Sequence, residues 1–164
     1  MGGGYDHAGI HSIVVDPRNS RHLTLGISCG GVWRTLNGGE SWTVSSTGMR
    51  ADYMPPEMHE NEAIQDPHRL ARSAGNPDIV WCQHHNGMWR SENGGLHWTE
   101  ITGVPVSNFG FAVAAHPRNG NVAWFAPAEA DHRRVPVGAA MAVTRTGDGG
   151  RSFQVLRNGL PQQH

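Results

Sequence analysis

Cysteine is scarce in this 164-residue chain: only Cys29 and Cys82 occur. They fit no zinc spacing, and a chain long enough to bury a sizeable core needs no covalent staple, so reduced thiols are expected. Charge is sparse as well. Asp, Glu, Lys and Arg make up 16% of the residues and the formal net charge is −1, which removes any electrostatic case for nucleic acid or an anionic membrane as partner. Long apolar runs are missing too. The longest resembles Phe111-Ala112-Val113-Ala114-Ala115, far short of a membrane span. The start, Met1-Gly2-Gly3-Gly4-Tyr5-Asp6, lacks the basic residues and apolar stretch of a secretory signal. Asp6 stands where myristoylation wants Ser or Thr. Location is therefore left unassigned, cytoplasmic by default. What the chain has in quantity is glycine, 22 residues, with 10 prolines, a balance that suits a turn-rich all-β protein.

One stretch is written three times. Arg34-Thr35-Leu36-Asn37-Gly38-Gly39-Glu40-Ser41-Trp42 returns as Arg90-Ser91-Glu92-Asn93-Gly94-Gly95-Leu96-His97-Trp98, and then as Arg145-Thr146-Gly147-Asp148-Gly149-Gly150-Arg151-Ser152-Phe153. The Asn or Asp positions lie 56 and 55 residues apart, a structural period. Asn-Gly or Asp-Gly supplies the positive φ values of a tight hairpin. The Ser or Thr two residues earlier offers a hydroxyl to the turn, and the aromatic three residues after the second Gly can plug it. Around each hairpin four short strands are predicted. In the first unit they are residues 11–15, 22–27, 32–35 and 41–44, with a turn at Asp16-Pro17-Arg18-Asn19.

The pattern Ser/Thr-x-Asp-x-Gly-x-x-Trp resembles the Asp-box of BNR repeats, with Asn for Asp in two of the three copies. The resemblance spans residues 10–156 and implies the β-propeller fold of sialidase-like and sortilin-like proteins. Four-stranded units at this spacing read independently as propeller blades. The expectation is an all-β chain, 1–164, forming a single partial propeller of about three four-stranded antiparallel blades at 10–45, 68–102 and 109–157. Rings close with about four to eight blades. Part of a longer propeller, or a homo-oligomer that completes one, is therefore expected.

Strand alternation sorts the connections onto two faces. The turns between first and second strands share one face with the repeated hairpins, and the remaining connections open on the other. That second face collects the irregular segments: Tyr5-Asp6-His7, residues 45–66, Gln83-His84-His85-Asn86, and an insertion at 126–140 containing Glu129, Asp131, His132, Arg133 and Arg134. Long loops on a rigid scaffold carry function. Candidate binding residues are Tyr5, His7, His59, His68, His84, His85, Asn86, Arg133 and Arg134.

Three functional readings remain open. The first is a binding or scaffold module that recognises a carbohydrate or protein ligand through this face. The alternative is a glycoside hydrolase resembling Asp-box enzymes, which needs two carboxyl groups across a cleft; Asp6, Glu57, Glu60 and Asp131 are its catalytic candidates, with Asp66 and Glu129 on the same face. The resemblance to sialidases stops short of their catalytic residues. Only Tyr5 and Tyr53 are present for a Tyr–Glu nucleophile, no Arg-Ile-Pro motif occurs, and Arg34, Arg90 and Arg145 recur at a structural position near the hairpins. The third is a metal-dependent activity. Aligning residues 32–34 with 88–90 sets Cys29 opposite His85, so that Cys29, His84 or His85, His59 and His7 would share a rim. Their spacing is no metal motif, and neither a metal nor another cofactor is assigned.

Overall fold

The computed structural model describes residues 8–163. Its strands form three four-stranded antiparallel sheets, each in strict chain order. The first contains β1 (Gly9–Asp16), β2 (Asn19–Ser28), β3 (Gly31–Thr35) and β4 (Thr43–Val44); the second, β5 (Pro67–Arg72), β6 (Val80–His84), β7 (Gly87–Ser91) and β8 (Thr99–Ile101); the third, β9 (Gly110–Ala115), β10 (Ala123–Pro127), β11 (Val143–Thr146) and β12 (Gln154–Leu156). The only helical pieces among the described residues are 3-10 turns at Pro56–Met58, Glu62–Ile64 and Val137–Ala139, and none could cross a membrane.

Each repeated hairpin closes with the same hydrogen bonds. In the first, the Thr35 hydroxyl accepts from Gly39 N–H at 3.0 Å and donates to Asn37 Oδ1 at 2.8 Å, while Asn37 Oδ1 accepts from Ser41 N–H. Ser91 with Asn93, and Thr146 with Asp148, repeat the set. Both glycines of every copy take positive φ. These caps hold residues 37–41 in the turn, so the fourth strand of the first sheet begins at Thr43, later than the alternation of Ser41-Trp42-Thr43-Val44 suggests.

The sheets stack face to face, and the middle one is buried on both sides. Val32, Met49, Leu70, Val80, Cys82, Trp89 and Trp98 form the core between the first two sheets. Trp81, Met88, Val113, Ala123 and Phe125 form the core between the second and third. This is why Val80-Trp81-Cys82-Gln83-His84 reads as a continuous buried run, whereas β1 leaves Ile10, Ile13 and Val15 exposed. Both cysteines are free thiols, Cys82 fully buried.

Polar groups join the blades along the hairpin side. Arg34 packs on Gly94 and Gly95 of the next hairpin, and Arg90 packs on Gly149 of the one after. Their recurrence serves inter-blade packing. Arg72 of β5 reaches Asp16 at 3.5 Å and the Thr24 hydroxyl at 3.1 Å. Arg18 grips both oxygens of Asp16, at 2.9 and 2.7 Å, and reaches Asp78. This hydrogen bonding holds the Asp16 carboxyl down at about 2, against the opposing effect of burial. An unfolded Asp titrates near 3.9, so the contribution is complete above about pH 4 and is lost as pH falls towards 2. Asp16→Asn is expected to be less stable than the parent at neutral pH, with the gap closing between about pH 4 and 2 in urea titrations. A gap independent of pH would contradict this role.

Candidate functional site

The rim opposite the hairpins is built around one buried carboxylate, Asp66, at the end of the long connection from β4 to β5. That connection is folded against the scaffold. Gly31 N–H donates to Gln65 O at 2.8 Å, Ser46 N–H to Glu62 Oε2 at 2.8 Å, and the Tyr53 hydroxyl to Ile64 O at 2.9 Å. Gly48, at φ +92°, lies so close to the next blade that a Cβ there would sit 2.2 Å from Trp98 O. Only glycine fits that approach.

Asp66 uses its two oxygens differently. Oδ1 accepts from the Ser28 hydroxyl at 2.8 Å and from Cys29 N–H at 3.2 Å. Oδ2 faces two imidazoles, His68 Nε2 at 3.4 Å and His85 Nδ1 at 3.2 Å. Burial alone would raise this carboxyl, but the hydrogen bonds from His68, His85 and Ser28 overcome it and hold the group well below the usual carboxylate range. Burial and the neighbouring Asp66 charge push the Cys29 thiol up, away from the reactive thiolate.

His84 has a positioning role. Its ring is fully buried, and Nε2 accepts from Asp66 N–H at 3.0 Å while Nδ1 faces Asn86 N–H at 3.3 Å. An imidazolium would set N–H against N–H at both places. Burial lowers its pKa to about 3, so the ring stays neutral, and its single lone pair, at Nε2, fixes the Asp66 backbone at the start of β5. The adjacent His85 turns the other way, as successive strand residues do, and its ring lies between Tyr53 and Phe109, with centroids 4.7 and 5.7 Å away. His68 stacks on Phe111 at 4.5 Å. Arg134 lies over the other side of this wall, 5.0 Å from the Phe111 ring centroid.

The structure thus brings His68, His84 and His85 together and sets Arg134 and Asn86 beside them. His59 belongs to the loop itself: its Nε2 donates to Met54 O at 2.8 Å and its Nδ1 accepts from Arg50 at 3.0 Å. Arg133 pairs with Glu129 and Arg134 with Asp131. Glu57 and Glu60 are exposed along the 45–66 connection. Tyr5, Asp6 and His7 lie outside the described residues. The sequence offers Asp66 only as a further carboxylate on this face and points to no role for Ser28, Phe109 or Phe111. The available signal was Asp66-Pro67-His68, a carboxylate and an imidazole at i and i+2 where a strand begins.

On the hairpin side, a hollow of about 290 Å³ is lined by Arg90, Glu92, Asn121, Asp148 and Arg151 among others. Its polar groups are already engaged: Arg90 with Glu92 and Asn121, and Asp148 with Ser152 and Thr146. Arg151 Nε likewise donates to Asp148 O at 3.0 Å.

No known family profile matches the chain, and no curated protein does. Solved structures do. An ancestral GH74 enzyme aligns over 94% of this chain at 19% identity with a TM-score of 0.66. YCF48 from Cyanidioschyzon merolae aligns over 91% at 22% identity with a TM-score of 0.63, and a YCF48 bound to D1 peptide over 92% at 16% identity with a TM-score of 0.52. The chain spans 19%, 40% and 42% of those chains' lengths, respectively. Together with the three sheets, these likenesses define the class: the chain folds as blades of a β-propeller.

Proposed function

We propose that this chain is a binding module whose rim face, opposite the hairpins, recognises a protein segment or a glycan. The observation that carries this reading is the run of contacts from Tyr53 through His85 and Phe109 to Phe111 and Arg134. It combines the exposed Tyr53 ring with a guanidinium held over the half-buried Phe111 ring, the pairing of planar apolar and donor groups that dominates recognition surfaces. Asn86 and Arg133 extend it with donors, and Tyr5 and His7 are assigned to the same face by sequence. The YCF48 bound to D1 peptide lends the protein-ligand form its support at the level of fold.

The hydrolase alternative draws on the GH74 likeness but has a chemical difficulty. A glycosidase acid must hold a proton near neutral pH, whereas Asp66, the buried carboxylate of this rim, is kept ionised by its partners. Asp131 is tied to Arg134. In this reading the apolar outer face of β1 meets a further blade, supplied by more chain or by a second copy.

Displayed random peptides and a glycan array, each probed with the purified chain, test the proposal. Ligands that bind without turnover are expected. Hydrolysis of a fluorogenic glycoside that Asp131→Asn or Glu57→Gln abolishes would replace this reading with the hydrolase one.

A further inference from the structure

We infer that Asp66, His68 and His85 form a divalent transition-metal site, with Zn²⁺ the ion their donor set favours. Their ligand atoms lie within 4.8 Å of one another. A tetrahedral ion with bonds of about 2.0–2.1 Å holds its ligands roughly 3.3–3.4 Å apart. Asp66 Oδ2 is already 3.4 Å from His68 Nε2 and 3.2 Å from His85 Nδ1, so two edges of such a tetrahedron are in place.

Proton bookkeeping at His68 points the same way. Its Nδ1 lies 2.6 Å from Gly110 O. A carbonyl only accepts, so Nδ1 carries the proton, and a neutral ring then turns the Nε2 lone pair towards the carboxylate of Asp66. These side chains are only 4% and 8% exposed, where lone pair against lone pair is not tolerated. A metal ion between the two would accept both lone pairs and relieve that contact. The surroundings are those of a ligating histidine, whose outer N–H goes to a backbone carbonyl and fixes the tautomer.

Asp66 shows a matching division. Oδ1 is saturated by Ser28 and the Cys29 N–H, and Oδ2 is left to the two imidazoles. The His85 ring is held between Tyr53 and Phe109, so little ordering is needed on binding. His85 is also the most accessible of the three, its side chain 22% exposed, which leaves a coordination position towards the rim for water or a ligand atom. Two imidazoles and one carboxylate favour a borderline ion over Ca²⁺ or Mg²⁺, which take oxygen shells. His84 is not a ligand, because its Nε2 is committed to Asp66 N–H.

The test is a titration of the whole chain, purified without a metal column and stripped with a chelator. Zn²⁺ binding is read by calorimetry, and Co²⁺ by the visible bands of a low-symmetry site. One equivalent per chain and a raised Tm are expected. His85→Gln and Asp66→Asn, each confirmed as folded by near-UV circular dichroism, should bind at least about tenfold more weakly, and Ser28→Ala about tenfold more weakly through loss of the outer hydrogen bond. His97→Ala, on the hairpin side, should not change affinity. Absence of a stoichiometric site, or equal affinity in the parent and in His85→Gln, would overturn the inference. No partner is needed for this measurement, so its outcome is independent of the docking reading.

Discussion

Trp98→Ala is expected to destabilise the chain by about 3–5 kcal/mol, the range for truncating a buried tryptophan. Trp98 is 1% exposed, sits in the core between the first two blades, and donates its Nε1–H to Ser45 O at 2.9 Å, while its own N–H reaches Thr47 O. It plugs the junction between blades from the hairpin of the second. The cost therefore combines lost apolar burial, a cavity and an orphaned Ser45 carbonyl. Trp42 holds the same place in the first repeat, yet no earlier blade covers it within the described residues and it is only half-buried. Trp42→Ala should cost less than about half as much, in proportion to the smaller area removed from water. Urea unfolding of the two variants measures the difference, and equal losses would show that the tryptophans act within their own hairpins and not between blades.

Asp66→Ala is expected to cost about 3–5 kcal/mol in metal-stripped protein, as removal of one partner from a buried charged network does. It leaves the Ser28 hydroxyl, the Cys29 N–H, His68 and His85 without their acceptor. Asp131→Ala removes an exposed carboxylate paired with Arg134 and should cost less than about 1 kcal/mol. Stripping matters because an ion at the proposed site would stabilise the parent and Asp131→Ala but not Asp66→Ala. Denaturant titration of the three proteins in chelator settles the ranking. Similar losses in the two variants would mean that the rim network does not hold the 45–66 connection in place.

The architecture was legible because it rests on local chemistry repeated three times. Asn37-Gly38-Gly39, Asn93-Gly94-Gly95 and Asp148-Gly149-Gly150 specify a turn wherever they stand, and a turn of known type fixes its flanking strands. The site was legible only in part. His84 and His85 stand out in the sequence as a pair, but which of them faces the rim depends on how β6 enters its loop. The structure sends His84 inward to Asp66 N–H and His85 outward. Asp66 was harder to find, since burial of a loop carboxylate depends on donors distant in sequence: Ser28 and Cys29 come from the preceding blade. Phe109 and Phe111 read as ordinary strand residues, and their place beside His68 follows from packing between the second and third blades. No local pattern encodes such contacts.

In the proposed function, ligands meet the rim and not the hairpin face. The most direct measurement is the affinity of a peptide or glycan selected on the parent chain for four single variants, Tyr53→Ala and Arg134→Ala on the rim, Glu92→Ala and Arg151→Ala on the hairpin side. A loss of about tenfold or more is expected for the rim variants, as for anchor residues of an interface, and changes within about twofold for the other pair. Weakened binding in the hairpin-side variants, with the rim variants unchanged, would contradict it.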